Sequence, residues 1–343
     1  MRIMAVTKKG AQPCDVALLV DIETGAHDEN GAFVPDAGSM EHDVMQCLSA
    51  QHARVEVVPF ESRLDETVRR LRSLKPRLVF NLTEWLDGDR RLDAAIAGVL
   101  DALKLPYTGT GPDGMHLARD KALAKSIVAA LGVAVPRGAV LDGARRRSFD
   151  LSYPLIVKPQ FGDGSDEIAK NALVRSAREL KRRVEAVRRR TRAPLLVEEY
   201  IPGTDLFVGL LGNEPRVLPA LELVVGRRGA AAPTIATSRI KTDAAYRAKW
   251  NIGYRVAALP RAVVRDIETA SARVFHALKL RDYARVDYRL TPEGGVVFLE
   301  ANANPDLSPH TFGENRCFTG VDYPDLIGGI VRAALKRTRP TRK

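Results

Sequence analysis

The chain has 343 residues, 45% of them hydrophobic and 28% charged, with a formal net charge of +11 at pH 7. This length allows two or three domains with hydrophobic cores of their own, and the composition is typical of water-soluble α/β proteins. The sequence has no run of eighteen apolar residues and too short an apolar stretch near its N-terminus, which predicts neither a membrane-spanning segment nor a secretory signal.

The positive charge is concentrated in short clusters of Lys and Arg, at residues 145–147, 181–183, 188–190 and 336–343. The run at 176–192 is typical of the solvated face of a helix, and the last cluster predicts a disordered tail. No helix-turn-helix, zinc or stacking-aromatic pattern accompanies these clusters, so a nucleic-acid partner is not favoured. The cysteines have no metal-ligand spacing and fit thiols in a reducing, cytoplasmic compartment: Cys14, Cys47 and Cys317.

The first third of the chain alternates predicted strands with predicted helices. The clearest are strands at 16–20, 55–60 and 78–82 and helices at 62–75 and 92–103. After a long polar connection at 21–37, Ser39 precedes an acidic first turn and is a candidate N-cap of a further helix. This order of elements predicts a parallel, doubly wound sheet.

Residues 109–114 match the dinucleotide-binding fingerprint G-x-G-x-x-G and lie between a predicted strand and a predicted helix. That fingerprint belongs in the first βα unit, with an acidic residue about twenty positions later at the end of the next strand. Here several βα units come first, and the corresponding stretch, residues 132–136, contains no acidic residue. Nicotinamide or flavin binding is therefore not favoured.

The middle of the chain has features suited to a nucleotide. A helix is predicted from 115 to 131, and an apolar strand at 155–159 carries Lys158 near its end. The glycine-rich loop that follows, residues 160–167, is suited to closing over an anion, so Lys158 is a candidate phosphate contact. The strand at 195–201 ends in a Pro-Gly turn, where backbone groups could hold a flat base such as adenine.

An antiparallel strand pair is predicted at 205–211 and 216–225, followed by a polar stretch with few periodic apolar residues at 226–253. That stretch contains Lys249 and predicts a long active-site loop. A helix at 260–279 then leads to a β-hairpin.

The hairpin is predicted from two β-rich runs, 283–290 and 296–302, around a Thr-Pro-Glu-Gly-Gly turn. We expect a four-residue loop with Thr291 opposite Val296. Alternate residues of a strand share a face, so the apolar face of this hairpin would carry Val286, Tyr288 and Leu299.

The same register makes the other face of the hairpin polar. Asp287 would lie opposite Glu300, and Arg285 opposite Asn302. Two carboxylates and an amide are the oxygen ligands that Mg²⁺ takes when it bridges nucleotide phosphates, and without cations the carboxylates would repel each other. The alternative is a surface hairpin with an Arg–Asp pair, and the segment alone does not decide between the two.

Five short motifs follow one another along the chain: Tyr107-Thr108-Gly109, Asp120-Lys121, Val157-Lys158-Pro159, Val197-Glu198-Glu199-Tyr200-Ile201, and Arg285-Val286-Asp287 with Glu300-Ala301-Asn302. In this order and spacing they resemble the motifs of ATP-grasp ligases, most closely D-alanine–D-alanine ligases, from about residue 38 to residue 310. The resemblance implies an α/β (α+β) class and an ATP-grasp fold with an N-terminal doubly wound parallel-sheet (pre-ATP-grasp) domain. The domains would be 1–114, a central lid domain at 115–202, a catalytic domain at 203–335 and a basic tail at 336–343.

The resemblance also implies a binding site for ATP. The phosphate contacts would be Lys121, Lys158 and Lys249. The adenine contacts would be Glu198, Glu199, Tyr200 and Ile201. The ribose would face Asp205.

Metal-binding and catalytic roles are implied in the same way. Two Mg²⁺ ions, for which Mn²⁺ is an alternative, would be bound by Asp287, Glu300 and Asn302. Arg285 would stabilise charge at the reacting carboxylate, and Glu41 would hold the amine of the first substrate. Two further catalytic candidates lie in predicted loops, Ser165 and Lys249.

The departures from the family pattern fall on the substrate side. The family's Gly-Ser-Ser-x-Gly loop is Asp-Gly-Ser-Asp-Glu at 163–167, so the serine that links to a loop tyrosine is missing, and that tyrosine is Trp250 here. The family's Asn-Pro-Gly is Asn304-Pro305-Asp306. These changes leave the identity of the substrates open.

The expected activity is ATP-dependent ligation of two amino acids through an acyl phosphate, with release of ADP and phosphate, in peptidoglycan-precursor or dipeptide synthesis. One alternative is a ligase for another amino acid or small carboxylic acid, and a further one is a catalytically silent nucleotide-binding protein. The expected partners are small-molecule substrates and, from the family alone, a second copy of the chain in a homodimer.

Overall fold

The computed structural model describes residues 14–60, 64–86, 89, 92–142, 150–161, 172–191, 193–226, 240, 243–309 and 314–338. The chain divides into two compact units. One contains the described residues up to Thr108 and those from 334 onward, and the other runs from Gly109 to Ala333. The predicted domain boundaries at 114, 202 and 335 stay predictions. Within the described part of the chain, no helix is both long enough and apolar enough to cross a membrane.

The first unit contains a parallel sheet and its connecting helices. The elements are β1 (Val16–Asp21), β2 (Gly25–His27), β3 (Phe33–Pro35), α1 (Met40–Gln51), β4 (Val55–Phe60), α2 (Leu64–Leu74), β5 (Leu78–Asn81) and α3 (Asp93–Ala102). Strand β1 lies between β4 and β5, is parallel to both, and is buried at all six positions. The predicted parallel α/β sheet is confirmed.

Two details of this unit bear on the sequence predictions. The Ser39 hydroxyl accepts a hydrogen bond from the His42 backbone N–H, which confirms Ser39 as the N-cap of α1. The connection at 21–37, identified in the sequence only as a long polar segment, contains a 3-10 turn at Ile22–Thr24 and the antiparallel hairpin of β2 and β3.

The second unit contains two antiparallel sheets. Its elements are α4 (Pro112–Arg119), α5 (Lys121–Ala130), β6 (Gly138–Leu141), β7 (Leu155–Pro159), β8 (Leu173–Val174), α6 (Ala177–Arg188), β9 (Leu195–Glu199), β10 (Thr204–Leu211), β11 (Arg216–Val217), β12 (Leu221–Val225), α7 (Ala244–Trp250), β13 (Ile252–Val256), α8 (Arg261–Ala277), β14 (Tyr283–Leu290), β15 (Val296–Asn302) and the part of α9 (Tyr323–Thr338) up to residue 333. One sheet has the order β6-β9-β7-β8, and the other has the order β13-β12-β10-β14-β15, with β11 also paired to β10.

The core of the larger sheet lies on one face of β10, β14 and β15, where helices α5 and α8 cover it. Val286 and Tyr288 of β14 are fully buried there beside Phe298 of β15. The Tyr288 hydroxyl is hydrogen-bonded to the buried Ser271 hydroxyl of α8 at 2.9 Å, so this polar group has a partner inside the core. The opposite face of β14 is therefore left to carry the polar side chains.

The single helix predicted from 115 to 131 is wrong, because the chain forms α4 and α5 with a break at Asp120. The Asp120 backbone is extended, and its carboxylate accepts hydrogen bonds from the backbone N–H groups of Ala122 and Leu123. An aspartate competes for backbone donors in this way and starts a new helix. The break leaves Lys121 as the first residue of α5.

Two other predictions need correction. Residues 226–253 are not one loop, since α7 and the start of β13 lie within them, although 227–239 and 241–242 lie outside the described residues. The tail predicted to be disordered from 336 is helical at 336–338, where α9 ends.

Candidate active site

The hairpin of β14 and β15 brings the predicted polar residues together. Asp287 pairs with Glu300, and Arg285 pairs with Asn302, as the sequence predicts. Near the turn the prediction is wrong by one residue, because Leu290 pairs with Val296 across a five-residue loop.

A β-bulge restores the predicted register at the functional end of the hairpin. Tyr288 pairs with Phe298 while Asp287 pairs with Glu300, so Leu299 is the extra residue on β15. Leu299 was expected on the apolar face. Instead Phe298 and Ala301 join the core cluster there, and Leu299 is absent from it.

Arg285 and Asp287 form a buried ion pair along β14. Their side chains are only 4% and 9% exposed, and Arg285 Nε and Nη2 donate to the two Asp287 carboxylate oxygens at 2.7 and 3.1 Å. Asn302 Nδ2 lies 3.5 Å from Asp287 Oδ2. The fully exposed surface hairpin considered as the alternative is not observed, because Arg285 and Asp287 are buried and Glu300 and Asn302 are half-buried.

Glu300 lies among cations. Burial opposes its ionisation, but the positive charges of Lys121, Lys158, Arg285 and Lys125 lower its pKa to about 2. Glu300 is therefore a carboxylate at neutral pH, next to the carboxylate of Asp287.

A second buried charge cluster lies on the smaller sheet. Glu198 of β9 is 3% exposed, and its two carboxylate oxygens lie 2.8 Å from Lys158 Nζ and 2.9 Å from Lys125 Nζ. Burial opposes ionisation of Glu198, but the two lysines lower its pKa. Lys125 also donates to the Leu299 carbonyl oxygen at the bulge, so this cluster is joined to β15.

The two lysines of this cluster differ in their titration. Burial lowers the pKa of Lys125 to about 8, against the opposing charge of Glu198. Burial also acts on Lys158, but the charges of Glu198 and Glu300 outweigh it and raise the pKa of Lys158. Lys158 therefore remains an ammonium group at neutral pH.

Lys121 and the start of the glycine-rich loop are held together. The Lys121 backbone N–H donates to the Gln160 carbonyl oxygen at 3.1 Å, and Gln160 Nε2 donates to Asp120 Oδ1 at 2.8 Å. The Lys121 side chain is buried and is the strongest positive influence on Glu300. The helix break at Asp120 thus places a cation beside Asp287, Glu300 and Asn302, which together form the acidic patch.

The predicted adenine and ribose contacts lie at the end of β9, in the turn after it and at the start of β10. Glu199 accepts hydrogen bonds from Arg137 and from the Ser152 backbone N–H, and the Tyr200 backbone N–H donates to the Pro154 carbonyl oxygen at 2.9 Å. Ile201 follows at the turn. Asp205, at the start of β10, forms an ion pair with Arg289 of β14.

Three predicted site residues are not brought into this cluster by the described structure. Glu41 belongs to the other unit, where it is buried in the first turn of α1. Lys249 is exposed at the end of α7, with Nζ 5.3 Å from the centre of the Trp250 ring. Ser165 lies outside the described residues. Their catalytic roles stay predictions.

The segment after β15 is fixed by the glycine fingerprint. The Gly109 backbone N–H donates to Asp282, and the Thr110 backbone N–H donates to Asn304 Oδ1 at 2.9 Å. A Cβ atom on Gly109 would lie 2.5 Å from that same Asn304 oxygen. The glycine is therefore needed for close packing of two chain segments, which gives the motif a structural explanation without a dinucleotide.

Asp306, which replaces the family's glycine, accepts a hydrogen bond from the Ser308 backbone N–H at 2.7 Å. This is a local turn of the kind that aspartate commonly forms. The substitution adds a carboxylate to the loop that follows the acidic patch.

The acidic patch fits magnesium better than a fully protein-bound metal. No group of three His, Cys, Asp or Glu side chains suited to a metal ion is found among the described residues. Asp287, Glu300 and Asn302 instead offer two carboxylates and one amide. Mg²⁺ keeps several waters and takes further oxygens from substrate phosphates, so this donor set is appropriate for it.

Two residues of these clusters were missed in the sequence. Lys125 follows Lys121 by one helical turn, so both lie on one face of a helix, but this spacing does not distinguish a buried lysine from a solvated one. Arg289 follows Arg285 and Asp287 at alternate positions of β14, so the strand period could have placed it on the polar face.

Comparisons with known proteins agree with this geometry. A profile of the family described as D-ala D-ala ligase C-terminus matches residues 141–332. An uncharacterized protein of Sinorhizobium fredii, y4sG, is 34% identical over 76% of this chain and 75% of its own length. A D-alanine–D-alanine ligase of Desulforudis audaxviator is 31% identical over 85% of this chain and 92% of its own length.

Solved structures give the same fold. The D-alanine–D-alanine ligase of Bacillus anthracis complexed with ATP has a TM-score of 0.71 at 19% identity, covering 95% of this chain and 99% of its own. The VanG D-Ala:D-Ser ligase of Enterococcus faecalis has a TM-score of 0.65 at 16% identity, covering 94% and 100%. The family profile spans more than half of the sequence, and relatives above 30% identity span most of it. The chain therefore belongs to the D-alanine–D-alanine ligase family of ATP-grasp proteins, which are ATP-dependent C–N ligases.

Proposed function

We propose that this protein uses ATP to activate the carboxylate of one small molecule as an acyl phosphate and then joins it to the amine of a second. The observation that carries the proposal is the buried meeting of cations and carboxylates in the second unit. Glu300 is ionised beside Asp287 and under the influence of Lys121, Lys158 and Arg285. Such an arrangement suits a triphosphate with its metal ions.

The lysines would bind and orient the phosphates of ATP. An ammonium group has three donors, so Lys158 can hold Glu198 and a phosphate oxygen at the same time. Lys121, as the first residue of α5, adds a second cation at the same place. Positioning and charge stabilisation of this kind account for most of the acceleration of phosphoryl transfer.

The acidic patch would hold Mg²⁺ through Asp287, Glu300 and Asn302. When bound there, the metal would act as a template and Lewis acid for the phosphates. Asp287 is oriented for this by the two hydrogen bonds from Arg285.

Arg285 would stabilise negative charge as the substrate carboxylate reacts. Its guanidinium donates to both carboxylate oxygens of Asp287, which holds its positive charge at this face of the hairpin. The centre of its guanidinium lies 5.9 Å from the centre of the Phe207 ring, which further limits its orientation. Arg285 and Asp287 are almost completely buried, and a site closed to water in this way would protect the acyl phosphate from hydrolysis.

Amino acids are the substrate class that the related ligases support, since their names specify two D-alanines or D-Ala and D-Ser. Glu41 would hold the amine of the first substrate, Lys249, at the end of α7, would contact a phosphate of ATP, and Ser165 is a further catalytic candidate. Trp250 and Asp306 depart from the family pattern on the substrate side, so we propose that the amino-acid substrates are not two D-alanines.

Release of phosphate from ATP, measured with single D- and L-amino acids and with pairs of them in the presence of Mg²⁺, tests this function. We expect turnover that depends on both an amino acid and Mg²⁺, and a dipeptide product by mass spectrometry. ATP binding without amino-acid-dependent phosphate release across the panel would favour the catalytically silent alternative.

A further inference from the structure

Arg289 is a buried arginine on the polar face of β14 that none of the roles proposed above uses. It follows Asp287 by two residues toward the hairpin turn and pairs across the sheet with Asp205 of β10. Its side chain is only 6% exposed. An arginine cannot lose its charge by deprotonation in a protein, so a buried one must be matched by partners.

Two of its nitrogens are matched by protein groups. Arg289 Nη2 lies 3.1 Å from Asp205 Oδ1, and Nη1 donates to the Gly203 carbonyl oxygen at 3.1 Å. The guanidinium carbon also lies 5.6 Å from the centre of the Tyr200 ring. Arg289 thus contacts both sides of the proposed nucleoside site, the base side at Tyr200 and the ribose side at Asp205.

The backbone of the turn between β9 and β10 is shaped for this contact. Gly203 has a φ of +144°, and a Cβ atom there would lie 2.0 Å from the Leu290 carbonyl oxygen. Only glycine allows the turn to approach the end of β14 so closely. The carbonyl group that Arg289 holds is therefore fixed by the backbone itself.

The third nitrogen of the guanidinium has no acceptor of this kind. Arg289 Nε is buried and has no hydrogen-bond partner among the described residues. A buried donor without an acceptor is unfavourable, and such groups are rare in folded proteins. A ligand that brings an acceptor to this point would remove the penalty.

We propose, on the basis of the ATP site proposed above, that Arg289 recognises the ribose of the nucleotide. A guanidinium can only donate and a carboxylate can only accept, whereas a hydroxyl group does both. One ribose hydroxyl accepts from Arg289 Nε and donates to the carboxylate of Asp205. The pair therefore selects ribonucleotides over deoxyribonucleotides.

The position along the strand fits this assignment. Arg289 and Asp287 are two residues apart on β14, and this spacing corresponds to about 7 Å along a β-strand. A nucleoside held at Arg289 and Asp205 would direct its phosphates along β14 toward Asp287 and Glu300.

Calorimetric binding of ATP, 2′-deoxy-ATP and 3′-deoxy-ATP tests the assignment without any need for turnover. For the wild-type protein we expect ATP to bind roughly tenfold or more tightly than at least one of the deoxy analogues. Arg289→Met and Arg289→Lys should each bring this ratio close to one. Arg255→Met is the matched control, because Arg255 pairs with Glu222 on the same sheet but is exposed, and it should keep the wild-type ratio.

The two arginine variants serve different purposes. Arg289→Met leaves Asp205 buried without its cation and can fail to fold, whereas Arg289→Lys keeps a positive charge there. A wild-type protein that binds all three nucleotides equally, or variants that keep its ratio, would overturn the assignment of Arg289. A wild-type protein that binds no adenine nucleotide would overturn the proposed function and this inference together.

Discussion

Glu300 is the residue on which the proposed chemistry depends most. It lies opposite Asp287, and three lysines and Arg285 keep it ionised. Glu300→Gln removes that charge while keeping the size of the side chain. We expect kcat for ATP-dependent phosphate release to fall roughly a hundredfold or more, as measured in a steady-state assay with Mg²⁺.

Glu293→Gln is the matched control for this change. Glu293 is exposed in the turn of the same hairpin, so its charge should not affect activity. Both variants should keep the far-ultraviolet circular dichroism of the wild type. A Glu300→Gln protein that retains most of its activity would refute the assignment of this patch to Mg²⁺.

The pKa of Glu300 also predicts how stability depends on pH. The folded-state pKa is about 2, below the ordinary value of 4.5, so the unfolded chain binds more protons between these values. The stabilisation from the charged form is complete above about pH 4.5 and is lost as pH falls toward 2. Its full size is ~3 kcal/mol.

Urea unfolding of the wild type and Glu300→Gln at a series of pH values between 5 and 3 measures this effect. We expect the difference in their free energies of unfolding to shrink as the pH falls, because glutamine does not titrate. A difference that stays constant over this range would contradict the ion-pair environment of Glu300.

Residue types and spacing were enough to place Asp287 and Glu300 opposite each other, since strand alternation determines which side chains share a face. They were not enough for Lys125. A lysine one turn after Lys121 is typical of a solvated helix face. Its burial between Glu198 and the Leu299 carbonyl oxygen depends on strands far away in the sequence.

For the hairpin as an element, too, local sequence signals predicted some features and missed others. The β-rich runs predicted both strands with their observed ends, because alternation and turn residues are local signals. The bulge at Leu299 has no local signal of that kind. It compensates for the longer loop, so the predicted pairing was wrong near the turn and right at Asp287.

The break between α4 and α5 at Asp120 was not predicted, for a related reason. The apolar period continues through the break, and periodicity alone predicts one helix. Whether an aspartate ends a helix depends on whether its carboxylate finds backbone donors and a partner such as Gln160. Only the folded chain brings Gln160 to that place.

The turn at Gly109 leads to a prediction about this packing. Gly109 has a φ of +88°, and an added Cβ atom would lie 2.5 Å from Asn304 Oδ1. Gly109→Ala should therefore be destabilised both by the left-handed backbone and by the clash. We expect a loss of about 2 kcal/mol or more in the free energy of unfolding, measured by urea titration.

Gly132→Ala separates the two contributions. Gly132 has a similar φ of +78°, but nothing lies within 4 Å of an added Cβ atom. We expect this variant to lose only about 1 kcal/mol, the effect of the backbone alone. Equal losses in the two variants would mean that the contact with Asn304 does not constrain the turn.

For the whole molecule, the order of strands and helices predicted the fold class well. Alternating elements in the first third indicated the parallel sheet, and later strand pairs indicated antiparallel sheets. The resemblance of the five motifs to those of ATP-grasp ligases then indicated the family. Contacts between distant segments, such as Asp205 with Arg289, could not be derived, because no local pattern specifies which buried charges pair.

The charge clusters that we propose to bind ATP lie in the unit that runs from Gly109 to Ala333, which predicts where a nucleotide will stabilise the chain. A ligand that binds the folded state and not the unfolded state suppresses local opening of the segments that it contacts. We expect hydrogen exchange with ADP and Mg²⁺ to slow at residues 121–125, 155–160, 195–205 and 285–302. Mg²⁺ without nucleotide is the control and should slow exchange little, because the proposed ligands Asp287, Glu300 and Asn302 would supply only part of its oxygen shell. Protection confined to residues 14–108 would contradict this placement of the nucleotide.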